Sequence, residues 1–356
     1  MDKVEELLTR GVDQILPTKA ELEKVLRSGK KLTLYQGFDP TGMQLHLGHM
    51  VGLKKLAQFQ KAGHHVIFLI GDGTGQAGDP SGKMKTRERF LSNEELKKNA
   101  TDYVKQAGRI VNFSGDNPIE IRYNGDWLNK LTLAELLNIA GHFSVQQLIE
   151  RDLFQKRLEA KESLNLREFL YPLLQGYDSV AMSVDLEIGG SDQTFNMLAG
   201  RQLVKEIQNR EKFVLTTPLL ADKVGNKIGK TTNNVIALTD TPTNLYGEIM
   251  SLSDDVIVKA LEFLTDVPIK EVEEIEKSVA SGNNPMQYKK KLAFEIVKQL
   301  NDENSAQKAQ EDFENTFSKG QIPQDVPTIK IKEASVELVD FLVDNNLAPS
   351  KSEAKR

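Results

Sequence analysis

The sequence predicts an α/β fold, a parallel sheet carrying a helical insertion and followed by an all-helical region, and three observations predict it. First, KLTLYQGF (31–38) reads as a strand, about Leu47 to Lys61 as a helix, and HHVIFLIG (64–71) as a buried strand. A strand–helix–strand crossover of that length joins parallel neighbours. Second, the pattern returns later: about Leu166 to Ser179 is helical, VDLEIGG (184–190) is a strand, and 191–209 is helical again. Third, everything from Pro242 to Ser318 keeps helical periodicity, as in KKLAFEIVKQL (290–300).

The remaining elements follow in order. VEELLTRG (4–11) and KAELEKVLRSG (19–29) are short opening helices, the second stopping at Gly29. The first strand runs into the turn residues Asp39-Pro40-Thr41-Gly42, and Leu53, Leu56 and Phe59 set the core face of the helix behind it. Residues 93–110 and about 132–160 read helical around the strand-like IEIRYN (119–124). Pro218 to Asn234 is a polar loop. A Gly/Pro-punctuated linker, SKGQIPQDVP (318–327), leads to a last short strand and the helical start VELVDFLVDNN (336–346), and the chain is expected to stop inside an unfinished element. The division expected is 1–217 for the sheet domain with an insertion at about 125–165, 218–318 for a loop and helical domain, and 319–356 for a linker and an incomplete final domain.

Composition narrows the function. The 356 residues carry 46 Lys and Arg against 51 Asp and Glu, a net charge of −5, which disfavours indiscriminate coating of nucleic acid. With no cysteine, a disulfide framework, a thiolate nucleophile and a thiolate-held zinc are excluded. The N-terminus has no apolar signal segment and the longest strongly apolar run, Val66 to Ile70, cannot span a bilayer, so a cytoplasmic protein without membrane contact is expected.

Three motifs carry chemistry. Gly73-Thr-Gly75-Gln-Ala-Gly78 matches G-x-G-x-x-G after a strand, but Asp79-Pro80-Ser81-Gly82 breaks the helix a dinucleotide site needs. A phosphate loop ending at Lys83 fails because Ala77 and Met84 stand at the required Gly and Ser/Thr positions. A tight turn that lets a ligand approach the backbone is the better reading. His46-Leu47-Gly48-His49 sits where a strand-turn passes into a helix, where free N–H groups and the helix dipole favour phosphate oxygens. Two histidines at i, i+3 without further ligands make a poor metal site, and no metal ligand is assigned. Lys227-Ile-Gly-Lys230-Thr231 lies in the Gly/Asn-rich loop DKVGNKIGKTTNN (222–234). Alone it is an ordinary solvated loop. Paired with the histidine turn, two lysines on a mobile segment suit a lid over a triphosphate.

HLGH (46–49) and KIGKT (227–231) together resemble the signature pair of the class I aminoacyl-tRNA synthetases. YQGFDPTG (35–42), GDPSGK (78–83), YPLLQGYDSV (171–180) and GGSDQTFN (189–196) narrow the resemblance to the bacterial tyrosyl-tRNA synthetases, over essentially the whole chain. The closing segment resembles the start of that family's S4-type RNA-binding domain, most of it beyond Arg356. KIGKT departs from the commoner KMSKS at Gly229 and Thr231, which reads as a tuned lid.

The resemblance implies a Rossmann-like catalytic domain, a helical anticodon-binding domain and a homodimer with an interface near 130–165. It also implies the substrates L-tyrosine, ATP with Mg2+, and tRNA(Tyr). The reaction is attack of the tyrosine carboxylate on the α-phosphate, then transfer of tyrosine to the tRNA 3′ end, so catalysis rests on positioning and charge stabilisation. Thr41 and His46 would hold the leaving pyrophosphate, His49 the ribose and phosphate geometry, and Lys227, Lys230 and Thr231 would close over the β- and γ-phosphates. Lys83 and Arg87 would assist, while Gly48 leaves room for a flat ring and Gly190 with Asp192 takes the ribose. Tyr35 and Asp178 would read the phenol hydroxyl, Asp79, Tyr171 and Gln175 the ammonium, and Gly37, Asp39 and Gln193 would complete the tyrosine pocket.

The helical region from 242 to 318 holds eight lysines against fifteen acids, a poor RNA surface away from Lys289-Lys290-Lys291, so few, base-directed contacts are expected there. Two alternatives stand beside this reading. A tryptophanyl-tRNA synthetase shares fold and signatures but not the Tyr35–Asp178 pair, and a catalytically silent RNA-binding paralogue would have no reason to keep both histidines and both lysines.

Overall fold

The computed structural model describes residues 2–42, 44–81, 89–223, 228, 236–318 and 335–355. It divides into two compact units, 1–313 and 314–356.

The first unit is built on a six-stranded sheet of β1 (Gln14–Leu16), β2 (Thr33–Phe38), β3 (His65–Ile70), β4 (Glu120–Tyr123), β5 (Leu186–Gly190) and β6 (Phe213–Thr217). Their spatial order is β1-β6-β5-β2-β3-β4. From β6 to β4 all pairs are parallel. The parallel expectation needs one correction: β1 runs antiparallel to β6, with Ile15 opposite Leu215, and closes the sheet edge. Neither strand was read from the sequence, since three residues are too few to show a period and β6 is a short apolar run beside a charged turn.

The chain order reverses between β2 and β5. From β2 it proceeds through β3 to β4 on one side, then returns to β5 and β6 on the other. Such a switch opens a crevice at the carboxyl ends of the two central strands, where open α/β sheets bind ligands. Helix Leu47–Lys61 is the expected crossover, and Leu53, Leu56 and Phe59 on it are buried. The stretch 132–160 is three helices, Leu133–Ala140, Val145–Ile149 and Asp152–Glu159. Thr132 and Ser144 each accept the N–H three residues on, so each starts a new helix.

Helices Leu166–Ala181 and Thr194–Gln208 pack closely because both carry glycine at the crossing. A Cβ on Gly176 would lie 3.0 Å from the Gly200 nitrogen. The helical region, Pro242–Met250 onward, shares one core with the sheet helices. Arg10 ties it down, donating to the carbonyls of Glu262, Thr265 and Val267 at 2.9, 2.6 and 2.8 Å. Lys54 adds an ion pair to Asp266 at 2.6 Å.

In the second unit, helices Leu338–Asp344 and Lys351–Ala354 are joined by an Asp340–Lys351 ion pair, and Ala348 is buried between them. The strand expected ahead of them lies outside the described residues.

Candidate active site

A cleft of about 490 Å³ opens at the switch point. It is lined by Tyr35, Gly37 and Asp39 from the end of β2, by Thr41, His46, Gly48 and His49 from the turn and helix beyond it, and by Asp79 after the glycine turn. Tyr171, Gln175 and Asp178 enter from helix Leu166–Ala181, and Gly190, Asp192 and Gln193 from the end of β5. All the described residues singled out in the sequence therefore meet in one cavity. Lys83, Arg87, Lys227, Lys230 and Thr231 lie outside the described residues. Ile228, the one described residue of KIGKT, also lines the cleft, and its carbonyl would stand 3.6 Å from a Cβ on Gly48.

One hydrogen-bonded chain runs along the inner wall. The Tyr171 hydroxyl donates to Asp39 Oδ2 at 2.9 Å, and Thr74 Oγ1 donates to Asp39 Oδ1 at 2.7 Å. Asn124 Nδ2 donates to Thr74 Oγ1 at 2.9 Å and to Asp178 Oδ2 at 3.0 Å, and Trp127 Nε1 donates to Asp178 Oδ1 at 2.8 Å. Burial pushes the Asp178 carboxyl well above the usual carboxylate range against these two donors, and the Glu187 and Asp39 charges push the same way. Burial and then Asp39 likewise raise the Tyr171 phenol. The turn's glycine is required here: a Cβ on Gly71 would overlap Asp39 Oδ1, so this carboxylate packs directly on backbone.

Tyr35 and Asp178 both face the cleft, but neither bonds the other. The Tyr35 hydroxyl pairs with Ser179 Oγ at 2.9 Å. A phenol oxygen arriving between Tyr35 and Asp178 would find one group able to donate and one able to accept. Asp79 accepts the Ser81 N–H on one oxygen and Gln193 Nε2 on the other, each at 2.9 Å. Gln175 Nε2 donates to Glu187 Oε1 at 3.0 Å, which leaves its buried Oε1 without a protein donor.

At the other end, His46 caps helix Leu47–Lys61. Its Nδ1 accepts the Gly48 N–H at 3.1 Å, while His49 Nδ1 accepts the His46 N–H at 3.2 Å. The two rings lie 3.9 Å apart by centroids. A Cβ on Gly48 would come within 2.9 Å of the His46 ring. The helix N–H groups expected to be free are taken, Leu47 by the Ile236 carbonyl, Gly48 by His46 Nδ1, and His49 and Met50 by the His46 carbonyl, so a phosphate at this corner would be met by the imidazoles and the helix dipole.

Sequence reasoning missed Asn124, Trp127, Thr74, Ser179, Glu187 and Lys212. Asn124 ends a strand and Trp127 is the sole tryptophan, the only available signals. The other four have no local signature.

The comparisons with known proteins agree with this geometry. Residues 27–318 match the family model described as tRNA synthetases class I (W and Y). Over 358 residues the chain is 38% identical to a tyrosine–tRNA ligase of Dehalococcoides mccartyi, covering 100% of this chain and 89% of that protein. It is 42% identical over 352 residues to one of Colwellia psychrerythraea, covering 98% and 87%. Among solved structures, a C-terminally truncated mitochondrial tyrosyl-tRNA synthetase of Aspergillus nidulans superposes with a TM-score of 0.74 at 27% identity, over 88% of this chain and 94% of that one. The chain belongs to the tyrosine–tRNA ligases, ATP-using enzymes of the class I aminoacyl-tRNA synthetases.

Proposed function

We propose that the cleft forms tyrosyl-adenylate and then passes tyrosine to tRNA(Tyr), with the roles divided along its length. The observation that carries this is that Tyr35 and Asp178 line the same cavity as the His46–His49 corner. In the amino-acid end, Asp79, Tyr171 and Gln175 take the ammonium, with Gly37 and Asp39 shaping the wall and Gln193 holding Asp79 in place. The tyrosine carboxylate is then directed at the α-phosphorus of ATP. One carboxylate oxygen bonds to phosphorus as the bond to the bridging oxygen breaks, and pyrophosphate leaves with that electron pair.

Thr41 and His46 stabilise the charge growing on the departing pyrophosphate, and His49 with Gly48 holds the ribose and base side of the nucleotide. Gly190 and Asp192 take the adenosine ribose. Lys227, Lys230 and Thr231, with Lys83 and Arg87, close over the β- and γ-phosphates. Magnesium enters as part of the ATP substrate. In the second step a hydroxyl of the tRNA's terminal ribose attacks the tyrosyl carbonyl and AMP leaves.

In this reading the catalytic domain spans 1–217 with its insertion at about 125–165, the lysine loop and anticodon-binding helices span 218–318, and an S4-like RNA-binding segment occupies 319–356. A homodimer is supported by exposed apolar residues of the insertion, Leu133 at 72% with Leu137 and Val145 more than half exposed, and by Leu166 just beyond it at 74%. No described helix is long and apolar enough to cross a membrane, and we place the enzyme in the cytoplasm with its tRNA.

The test is ATP–pyrophosphate exchange with tyrosine, phenylalanine and tryptophan in parallel. Exchange with tyrosine alone is expected. Exchange driven by tryptophan would overturn the pocket assignment.

A further inference from the structure

Beneath the amino-acid end of the cleft lies an ion pair sealed from water. Lys212, just ahead of β6, and Glu187, in β5, are both fully buried and bonded to one another. The three protons of the Lys212 ammonium are all placed: on Glu187 Oε2, on Ser179 Oγ at 2.7 Å and on the Met197 carbonyl at 3.3 Å. Room for the ammonium comes from Gly200, where a Cβ would stand 2.6 Å from Lys212 Nζ. Burial lowers the Lys212 pKa, and the Glu187 charge and hydrogen bond act against that. Such a pair seldom adds stability over well-packed apolar residues, so its use is to be sought in what it orients.

It orients two cleft residues, each through one bond. Glu187 Oε1 accepts Gln175 Nε2 at 3.0 Å. A carboxylate can only accept, so the Gln175 amide cannot flip, and its oxygen is the atom left buried and unpartnered. On the other side, Ser179 Oγ accepts a proton from Lys212 and can pass its own either to Tyr35 at 2.9 Å or to Glu187 Oε2 at 3.4 Å. The shorter contact wins, since 3.4 Å is at the edge of hydrogen bonding. With Ser179 donating to it, Tyr35 has its own proton for one of two acceptors, the Glu187 carboxylate beside it or a substrate oxygen in the cleft.

We propose that the Lys212–Glu187 pair is a positioning unit for the amino-acid pocket: it fixes the Gln175 carbonyl toward an ammonium and, through Ser179, the Tyr35 hydroxyl as a donor toward a phenol oxygen. This rests on the cleft binding tyrosine. A substrate hydroxyl accepting from Tyr35 keeps its proton for Asp178, so both groups read the same oxygen without competing.

The experiment is tyrosine-dependent ATP–pyrophosphate exchange on the wild-type chain, on the double variant Glu187→Gln/Lys212→Met, and on Ser179→Ala. The double variant removes both charges and orphans neither. It is expected to raise KM for tyrosine by about tenfold, the weight of one hydrogen bond, while KM for ATP moves by less than about twofold. Ser179→Ala removes the link to Tyr35 and one of the three Lys212 acceptors but leaves the Gln175–Glu187 bond in place, and is expected to lower the preference for tyrosine over phenylalanine by about tenfold. A purely structural role would depress exchange through kcat and ATP as much as through tyrosine, with the same amino-acid preference, and that result overturns the proposal. If the double variant fails to fold, an unchanged preference in Ser179→Ala overturns it alone. Absence of exchange in the wild type would instead refute the assignment of the cleft.

Discussion

The indole of Trp127 donates to Asp178 Oδ1 at 2.8 Å while Asn124 holds the other oxygen, so the carboxylate is fixed from both sides with its remaining lone pairs free to turn to the cleft. Asp178 is 1% exposed. Replacing it by asparagine keeps the shape but turns an NH2 toward one of two donors and removes the charge-assisted acceptor. Asp178→Asn is therefore expected to lower kcat/KM for tyrosine by about 10–100-fold, as for one hydrogen bond to a charged group, with little change for phenylalanine. Steady-state exchange with both amino acids measures it. An equal loss for both would mean that the carboxylate supports the wall and does not read the hydroxyl.

His46 has two separable jobs, and one substitution parts them. Asparagine is among the best N-caps and can accept the Gly48 N–H that His46 Nδ1 accepts at 3.1 Å. His46→Asn should leave the denaturation midpoint nearly unchanged, while adenylate formation falls by about 10²–10³-fold through loss of a donor to the leaving phosphates. Single-turnover adenylate formation and urea unfolding on the same preparation decide it. Retained activity would confine His46 to capping.

How much was legible in the sequence follows from how local each signal is. Helix Leu47–Lys61 has its cap, its apolar stripe and its terminating Gly63 within twenty residues, and the structure starts and ends it where expected. Asp178 is legible because it is the one carboxylate of the mostly apolar stretch YPLLQGYDSV (171–180). Nothing marks Lys212 among its charged neighbours Arg210 and Glu211 as the fully buried member, because burial is decided by strands and helices from elsewhere in the chain. Its pairing with Glu187, 25 residues away, appears only once β5 and β6 lie side by side. Strand β1 was illegible for a related reason: its three residues owe their conformation to β6 and not to any pattern of their own.

The close helix crossing at Gly176 makes a stability prediction. A Cβ there would approach backbone atoms of Ala199 and Gly200 at 3.1 and 3.0 Å, and neither can rotate away. Helix propensity alone favours alanine over glycine by about 1 kcal/mol. Overpacking costs about 1–3 kcal/mol and here acts on backbone, so it is expected to win. Gly176→Ala should unfold at lower urea with an unchanged m-value. A higher midpoint would mean that the two helices separate without loss.

Glu248 makes the pH prediction. Burial, then the neighbouring Asp240 charge and a hydrogen bond shared with Asp240, push it up to about 7. Asp240 meanwhile accepts the Ala237 N–H at 2.8 Å, in the stretch where Ala237 bridges to His46 beside the cleft. A carboxyl raised on folding binds its proton more tightly in the native state. Its contribution is thus complete below the unfolded value near 4.3 and is lost as pH rises through about 7. Glu248→Gln presents a neutral amide at every pH and can donate to Asp240. The variant's Tm should stay close to wild type at pH 5 and exceed it at pH 8, with the gain growing across the interval between. Parallel thermal melts from pH 4 to 9 read this directly, and a constant difference between the two proteins would show that Glu248 does not titrate in that window.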